Sequence, residues 1–220
     1  MKYLIISLIW AGYCFLHSYL ISVRFTQFIE RSLKNYYAWY RLFYVLLSFV
    51  LLVPLIKYTS SMDNEIIIEW VSPWSVIRIM MMWGSLLTFF WAFFFNYDSL
   101  SFFGIRQILN FGKTKIINPT MEIKKNGLLG IIRHPMYLCL IIYLWCQTFR
   151  MVDIIVNSIL TIYVLIGTIL EEKKLVLEFG DNYIKYQQEV PMLIPFKKRL
   201  KSQWGLLSCE LIHLRHSHGE

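Results

Sequence analysis

Charge is scarce in this chain, and the shortage excludes most soluble proteins. Only 16% of its 220 residues are charged, whereas 57% are hydrophobic and 17% are aromatic. This composition is far from that of a disordered chain or of an ordinary soluble domain. We therefore expect an integral membrane protein.

The features that divide a chain into separate domains are also missing. The ten glycines and six prolines form no linker, low-complexity tract or repeat. A single membrane domain over residues 1–220 is therefore expected. We distinguish within it an N-terminal three-helix part (1–95), a cytoplasmic connector (96–135), a C-terminal hairpin region (136–196) and a basic tail (197–220).

Cysteine is scattered, which excludes a disulfide framework and a CxxC metal site. The four cysteines are Cys14, Cys139, Cys146 and Cys209. The first three lie in apolar segments, so we interpret them as buried thiols. The tail histidines have a spacing that a metal could use, and they are His213, His216 and His218. Because only Cys209 and Glu210 lie nearby as further ligands, we interpret this segment as a polar tail and predict no metal site.

Long apolar runs predict about five transmembrane helices, since roughly 30 Å of hydrocarbon needs about 20 helical residues. Three runs meet that length or nearly so, and they are Tyr3–Ser22, Trp39–Ile56 and Val76–Phe95. Two shorter runs, Met136–Phe149 and Ile154–Leu170, are joined by a connection that permits only an antiparallel hairpin. The expected fold is an all-α integral membrane protein with a C-terminal helical hairpin.

Lysine and arginine set the expected orientation. They are concentrated between the first two spans and in residues 96–133, so both segments should be cytoplasmic under the positive-inside rule. The acidic loop with Asp63, Glu65 and Glu69 fits the opposite side, which places the N-terminus outside and the C-terminus in the cytoplasm. The net charge of +8 then indicates contact with anionic lipids and no nucleic-acid partner.

Two polar clusters flank the hairpin, Arg133-His134-Pro135-Met136-Tyr137 before it and Glu171-Glu172 after it. Ionisable groups at membrane depth are costly and usually mark a site. Pro135 predicts the start of a helix, whose free N–H groups suit a carboxylate or phosphate. The two glutamates are turned by about 100°, so one can face the bundle and the other solvent. Each cluster alone is also typical of an interfacial anchor or a solvated helix end.

At these residues the sequence resembles the isoprenylcysteine carboxyl methyltransferase-like superfamily of membrane enzymes. Its pattern is RHPxY followed, after one hairpin, by EExxLxxxFGxxYxxYxxxVPxxIP. The matching positions after the hairpin run from Glu171 through Leu175, Phe179-Gly180, Tyr183 and Tyr186 to Val190-Pro191 and Ile194-Pro195. The resemblance implies cytoplasmic helices that bind S-adenosylmethionine. The positions implied for this cofactor are Gly127, Leu128, Leu129, His134, Pro135, Met136, Tyr137 and Glu171.

Other residues indicate the branch of this superfamily. Prenylcysteine methyltransferases carry an arginine where this chain has Gly167, which disfavours a prenylcysteine acceptor. The segment with Phe103-Gly104-Ile105-Arg106-Gln107 is similar to methanethiol S-methyltransferases. His17-Ser18 and the stretch from Tyr40 to Tyr44 are similar to the related NnrU group.

The resemblance thus implies an S-adenosylmethionine-dependent methyltransferase acting on a small or lipophilic thiol, with methanethiol favoured. We predict Arg106 and Arg133 as catalytic residues, because a nearby cation favours the thiolate. Gln107 and His17 are candidates for substrate binding, and His17 has packing as its alternative role.

Several alternatives stay open at this point. They are methylation of a phospholipid or prenylcysteine, a nicotinamide-dependent membrane reductase, and an NnrU-type non-catalytic partner of a membrane oxidoreductase. The branch suggests a bacterial inner membrane. The sequence leaves the oligomeric state undetermined.

Overall fold

The computed structural model describes residues 1–62, 65–109 and 125–195, without the side chain of Asn35. Helices dominate these ranges. In chain order the elements are α1 (Lys2–Ile21), α2 (Val23–Leu33), a 3₁₀ helix (Lys34–Trp39), α3 (Tyr40–Ser61), β1 (Ile66–Ile68), α4 (Trp74–Trp91), a π-helical turn (Ala92–Asn96), α5 (Ser99–Phe102), α6 (Ile105–Leu109), a 3₁₀ helix (Gly127–Gly130), α7 (Pro135–Trp145), β2 (Phe149–Arg150), α8 (Met151–Phe179) and α9 (Asp181–Glu189).

Four helices of the described residues are long and apolar enough to cross a membrane. They cover Lys2–Ile21, Tyr36–Ser61, Trp74–Asn96 and Met151–Phe179. The expected multi-pass helical membrane protein is thereby confirmed. The fourth predicted span, Met136–Phe149, was too long: α7 has 11 residues, so it is roughly 16 Å long and covers about half of the hydrocarbon thickness.

Because α7 stops early, at Trp145, carbonyl groups near its C-terminus lack helical partners. Side chains from elsewhere in the chain donate hydrogen bonds to them. Trp70 Nε1 donates to the carbonyl of Gln147 at 2.9 Å, and Asn157 Nδ2 donates to that of Leu144 at 2.8 Å. Within a membrane such groups need protein partners, because hydrocarbon offers no hydrogen bonds. A polar turn can therefore end α7 inside the bundle.

The helices pack side by side, with α1 between α3 and α8, and with α7 between α8 and α4. A core cluster joins α1, α3 and α8 through Ile6, Trp10, Leu55, Val152 and Val156. Trp10 Nε1 also donates to Thr59 Oγ1 at 3.0 Å, which satisfies the indole nitrogen within this core. This packing brings α1 and α8 together, and so fixes the residues of α1 that face the hairpin.

A short antiparallel strand pair, absent from the all-α expectation, lies at one end of the bundle. Ile66 of β1 is opposite Arg150 of β2, and Ile68 is opposite Phe149. Arg150 continues into a capping box, since its side chain and backbone both bond to Asp153. The strands therefore connect the loop before α4 to the turn of the hairpin.

The cysteine prediction is confirmed for Cys14, Cys139 and Cys146, which are buried free thiols. Cys209 and the three tail histidines lie outside the described residues, as do residues 197–220 and part of the 96–135 connector. The described residues contain no group of His, Cys, Asp and Glu that could hold a metal. The proposed division into four segments stays a prediction.

Candidate functional site

The Arg133-His134 segment enters α7 through backbone contacts with the chain that follows α9. The Arg133 N–H donates to the carbonyl of Pro191 at 3.0 Å, and the His134 N–H donates to that of Met192 at 3.1 Å. Pro135 then occupies the first turn of α7, where its missing N–H costs no hydrogen bond. Two motifs distant in sequence are in this way held together by their backbones.

Glu172 is the centre of the polar cluster, and its side chain is only 9% exposed. Arg133 forms a bidentate pair with it, from Nε to Oε1 at 2.9 Å and from Nη2 to Oε2 at 2.6 Å. His134 Nε2 lies 2.7 Å from Oε1, while Tyr183 and Gln187 each donate to the carboxylate at 2.7 Å. These contacts join α7, α8 and α9, so Glu172 acts as a structural anchor.

Arg133 has little capacity left for a ligand. Its Nη1 donates to the carbonyls of Gln187, at 3.1 Å, and Val190, and its side chain is 8% exposed. Each guanidinium nitrogen is therefore engaged by the protein. The predicted catalytic role of Arg133 stays a prediction, but this geometry favours a positioning role.

Glu171, the residue before Glu172, is more exposed and has fewer hydrogen-bond donors. Tyr137 Oη donates to its Oε2 at 2.7 Å, and its side chain is 38% exposed. The rings of Tyr137 and His134 stack with centroids 5.5 Å apart, and His134 Nδ1 lies 3.9 Å from Oε2 of Glu171. A carboxylate can accept about four hydrogen bonds, so Glu171 is the glutamate of the pair that can receive a ligand.

Three tyrosines extend the cluster toward the Gly127–Gly130 turn. Tyr186 Oη donates to the carbonyl of Leu129 at 2.5 Å, and burial raises the pKa of Tyr186 to about 12. Burial also raises the pKa of Tyr97, to which the charge of Glu171 adds. For Tyr183, burial and then the hydrogen bond to Glu172 raise the pKa. All three hydroxyls are therefore neutral at physiological pH, and those of Tyr183 and Tyr186 act as donors.

The Gly127–Gly130 turn is brought beside the other predicted cofactor residues. Gly127 has φ +63°, a conformation that favours glycine. Asn96 Nδ2 donates to the carbonyl of Asn126 at 3.4 Å on one side, and Lys125 pairs with Glu189 of α9 at 2.7 Å on the other. Gly127, Leu128 and Leu129 thus lie between the π-helical turn and α9.

Arg106 and Gln107 contact a different segment. Arg106 Nε pairs with Asp98 Oδ2 at 3.0 Å, with Arg106 57% exposed. Gln107 Nε2 donates to the carbonyl of Ser101 at 3.4 Å, and its Oε1 is buried without a partner among the described residues. Their predicted catalytic and substrate-binding roles stay predictions, and their hydrogen bonds connect them to the α5 segment.

His17 lies in a polar network between α1, α3 and α8. Its Nδ1 is 2.7 Å from Tyr163 Oη, and its Nε2 is 2.7 Å from Tyr44 Oη. Ser18 Oγ also donates to Tyr163 Oη, at 3.2 Å. A neutral imidazole has one donor and one acceptor nitrogen, so one tyrosine donates to the ring and the other accepts from it.

Tyr163, Gly167 and Glu171 form a row on α8, because each follows the previous one by four residues. The row leads from the His17 network at Tyr163 to the open carboxylate of Glu171. A Cβ added at Gly167 would meet no atom of the described residues within 4 Å. On α8 there is therefore open space at Gly167, between the polar side chains of Tyr163 and Glu171.

Sequence reasoning missed Tyr163, Tyr97 and the anchoring role of Glu172. The four-residue spacing of Tyr163, Gly167 and Glu171 was a usable signal, since polar and small residues in a row are unusual within an apolar span. Tyr97 belongs to the stretch that leads into Phe103-Gly104-Ile105-Arg106-Gln107 and resembles methanethiol S-methyltransferases, but that resemblance assigned it no role. For Glu172, the turn of about 100° between neighbours predicted two roles without assigning them.

Together these features define a class: a multi-pass helical membrane protein with a buried, saturated carboxylate beside an open one at one end of a helical hairpin. The chain is similar to curated proteins named methanethiol S-methyltransferase. It is 35% identical to that of Crocosphaera subtropica over 106 residues, which are 48% of this chain and 40% of the relative. Methanethiol S-methyltransferase 1 of Bradyrhizobium diazoefficiens is 34% identical over 116 residues, 52% of this chain and 40% of the relative.

A third relative, the methanethiol S-methyltransferase of a Pseudomonas species, is 32% identical over 140 residues, 60% of this chain and 51% of the relative. The chain thus spans between 40% and 51% of the length of these three relatives. No family model matches the chain, and neither does any solved structure. The predicted resemblance to the methanethiol S-methyltransferase branch is confirmed by these relatives.

Proposed function

We propose that this chain is an S-adenosylmethionine-dependent membrane methyltransferase whose acceptor is methanethiol or another small thiol. Its similarity to methanethiol S-methyltransferases over about half of its length carries the proposal. The open carboxylate of Glu171 within the predicted cofactor residues supports it.

The predicted cofactor residues fit the chemistry of S-adenosylmethionine. The amides of Met136 and Tyr137 belong to the first turn of α7, where N–H groups lack helical acceptors and suit the carboxylate of an amino acid. Glu171 suits an ammonium group or ribose hydroxyls. Leu128 and Leu129, with Gly127 and the Tyr137 ring, would line the remainder, and the buried Pro135 and His134 would support it from behind. When bound, S-adenosylmethionine supplies a methyl group on a sulfonium.

Arg133 acts in this proposal as a positioning residue. Its bidentate pair with Glu172 holds α7 against α8, and its bonds to the carbonyls of Gln187 and Val190 hold the end of α9. A site that only aligns two reactants depends on such fixed geometry. Arg106 remains the candidate cation for the acceptor, because its pair with Asp98 is exposed and therefore weak.

The acceptor would lie beside Gly167, between Glu171 and the His17 network. The open space around the Gly167 Cα is suited to a small thiol. A thiol must lose its proton to become the nucleophile. In this arrangement the neutral His17 ring would accept the thiol proton, with Tyr44 and Tyr163 orienting that ring. The resulting thiolate would take the methyl group as the bond between that methyl and the sulfonium breaks, which leaves a neutral thioether as the leaving group.

The decisive experiment uses purified full-length protein in nanodiscs with methyl-labelled S-adenosylmethionine and a panel of thiols, read by headspace gas analysis. Labelled dimethyl sulfide from methanethiol is the expected result. The matched control is the double variant Glu171→Ala, His134→Ala, which should neither bind nor transfer. Binding of S-adenosylmethionine without transfer to any thiol would favour the non-catalytic NnrU-type role, and absorbance from a bound nicotinamide would favour the reductase.

The orientation is part of the same proposal. An outside N-terminus and a cytoplasmic C-terminus would place Arg133, Glu171 and α9 in contact with the cytoplasm, where S-adenosylmethionine is available. Fusions of alkaline phosphatase and of a fluorescent protein to each end, expressed in a bacterial inner membrane, test this arrangement. Phosphatase activity from the C-terminal fusion would overturn it.

A further inference from the structure

A cavity of about 240 Å³ lies at the end of α7 opposite to Glu171. Its walls are apolar side chains of α4 and α7, among them Ile77, Met81, Ile141, Ile142 and Trp145. Ile77 and Met81 are 47% and 48% exposed. Because α4 is long and apolar enough to cross the membrane, these exposed walls face lipid, and the cavity opens toward the bilayer.

Arg78 is the charged residue of the cavity wall. Its Nη1 donates to the carbonyl of Cys146 in a long contact of 3.4 Å, while its Nε is buried without a partner among the described residues. In the part of the chain that the structure describes, no carboxylate forms an ion pair with Arg78. The C-terminus of α7 provides only about half of a negative charge. Arg78 lies about one helical turn from the start of α4 at Trp74, so most of its positive charge is uncompensated at the edge of the hydrocarbon, which is costly.

We propose that this cavity binds a phospholipid of the surrounding bilayer, with the phosphate on Arg78 and part of an acyl chain along the apolar walls. A phosphate supplies the full negative charge and the paired oxygens that a guanidinium binds best. The cavity is smaller than pockets that enclose a whole small-molecule ligand, about 300–1,000 Å³. Only part of a lipid fits, and the rest stays in the bilayer.

The surroundings favour a lipid over a soluble anion. Trp70 and Trp145 line the same cavity, and tryptophan is enriched at the level of lipid headgroups. The apolar side chains of Ile77 and Met81 beside Arg78 suit an acyl chain and offer a soluble anion no hydrogen bond. The neighbouring polar cavity near Arg150 offers no such charge, because Arg150 is paired with Asp153. This inference does not depend on the proposed methyl transfer.

Native mass spectrometry of the detergent-purified full chain tests the proposal. The probes are dioleoyl phosphatidylglycerol, dioleoylglycerol, which has the chains without the phosphate, and inorganic phosphate. We expect a bound phosphatidylglycerol at low lipid excess and at least tenfold weaker binding of the other two. Binding of inorganic phosphate as tight as that of the lipid would overturn the proposal, and so would equal binding of dioleoylglycerol.

Two substitutions in the cavity wall test whether the lipid binds there. Arg78→Met should weaken phosphatidylglycerol binding at least tenfold, whereas Lys57→Met, which removes an exposed cation from α3, should leave it unchanged. Met81→Trp should also weaken binding, because it fills the cavity from a half-exposed wall position and keeps Arg78. This second variant decides the question if Arg78→Met does not fold. Unchanged lipid binding in a folded Arg78→Met or in Met81→Trp would contradict the site.

Discussion

Arg133 and Arg78 lie at opposite ends of α7 and differ in how fully the protein neutralises them. Arg133 has a bidentate carboxylate and two backbone carbonyls. Arg78 has one long contact to a carbonyl, and its Nε has no partner among the described residues. An arginine therefore serves as a framework element at one end of α7 and, in our proposal, as the charge that binds a ligand at the other.

The two glutamates of α8 repeat this contrast between neighbours. Glu172 is saturated by Arg133, His134, Tyr183 and Gln187, whereas Glu171 has one strong donor in Tyr137. A saturated buried charge stabilises geometry, since a ligand could bind there only by breaking existing bonds. An unsaturated one can bind without that cost. The number of hydrogen-bond partners therefore distinguishes a structural glutamate from a ligand-binding one, although both residues are of the same type.

The largest effect is expected for Glu172→Ala. It leaves Arg133 buried without its carboxylate, which typically costs about 3–5 kcal/mol. We expect a corresponding loss in the free energy of unfolding, measured by denaturant titration in detergent micelles. Glu171→Gln is the matched control and should change stability by less than about 1 kcal/mol. Equal losses for both variants would remove the distinction between the two carboxylates.

The converse holds for ligand binding. Glu171→Gln should weaken S-adenosylmethionine binding by about 10- to 100-fold, because hydrogen bonds to a charged group contribute about 1.5–3 kcal/mol. Isothermal titration calorimetry on the folded variant measures this change. Tyr137→Phe provides a comparison that removes only the donor to Glu171 and should weaken binding less. Wild-type affinity in Glu171→Gln would place the cofactor elsewhere.

Gly167→Leu tests the acceptor position between the two polar ends of the α8 row. The larger side chain meets open space and should fold, since replacing a helical glycine is usually favourable. We expect methyl transfer to fall about tenfold or more, equal to at least 1.4 kcal/mol, with S-adenosylmethionine binding retained. Gly84→Leu in α4 is the control, as its Cβ position is equally open among the described residues. Equal rates in both variants would exclude this acceptor position.

Tyr186→Phe gives a smaller effect that depends on pH. The pKa of Tyr186 is raised by burial to about 12 from an ordinary value of 10.0. Its folded form thus holds the proton more tightly than the unfolded form, so stability is complete below pH 10 and falls as the pH rises toward 12. The variant should lose about 1 kcal/mol at pH 7 and should decline less steeply above pH 10. Unfolding measured at several alkaline pH values would show a parallel decline if Tyr186 did not contribute.

The smallest stability change is expected for Arg106→Gln. Its ion pair with Asp98 is exposed, and such pairs contribute about 0–1 kcal/mol. Thermal unfolding should therefore change little. The rate of methyl transfer is the informative measurement, because a catalytic Arg106 predicts a large loss at constant stability. An unchanged rate would leave Arg106 as a surface residue.

Sequence patterns predicted the spans of α1, α3, α4 and α8 well, because each is a long apolar run whose neighbours do not alter it. They failed for α7, whose apolar run continues past Trp145 while the helix ends there. The end depends on Trp70, Arg78 and Asn157, which lie elsewhere in the chain. They donate hydrogen bonds to the carbonyls of Gln147, Cys146 and Leu144, in the last turn of α7 and just after it. No local pattern contains these distant partners.

The candidate site was predictable to a similar extent. Spacing and resemblance identified the Arg133–Tyr137 and Glu171-Glu172 segments. Which glutamate is buried depends on the orientation of α8 against α7 and α9, and that orientation follows from packing of Val164, Thr168 and Glu172 on one buried face. The approach of His17 to Tyr163 likewise requires the contact between α1 and α8.

The shortness of α7 also has a consequence for the membrane itself. Neighbouring helices such as α8, with 29 residues, match a full bilayer, whereas the face formed by α7 presents a polar turn after roughly 16 Å. Beside such a short apolar surface the bilayer becomes thinner, because this keeps the acyl chains away from the polar groups. One side of the protein should therefore be surrounded by a thinner annulus of lipid than the other, and bilayers of different chain length would strain the two sides unequally.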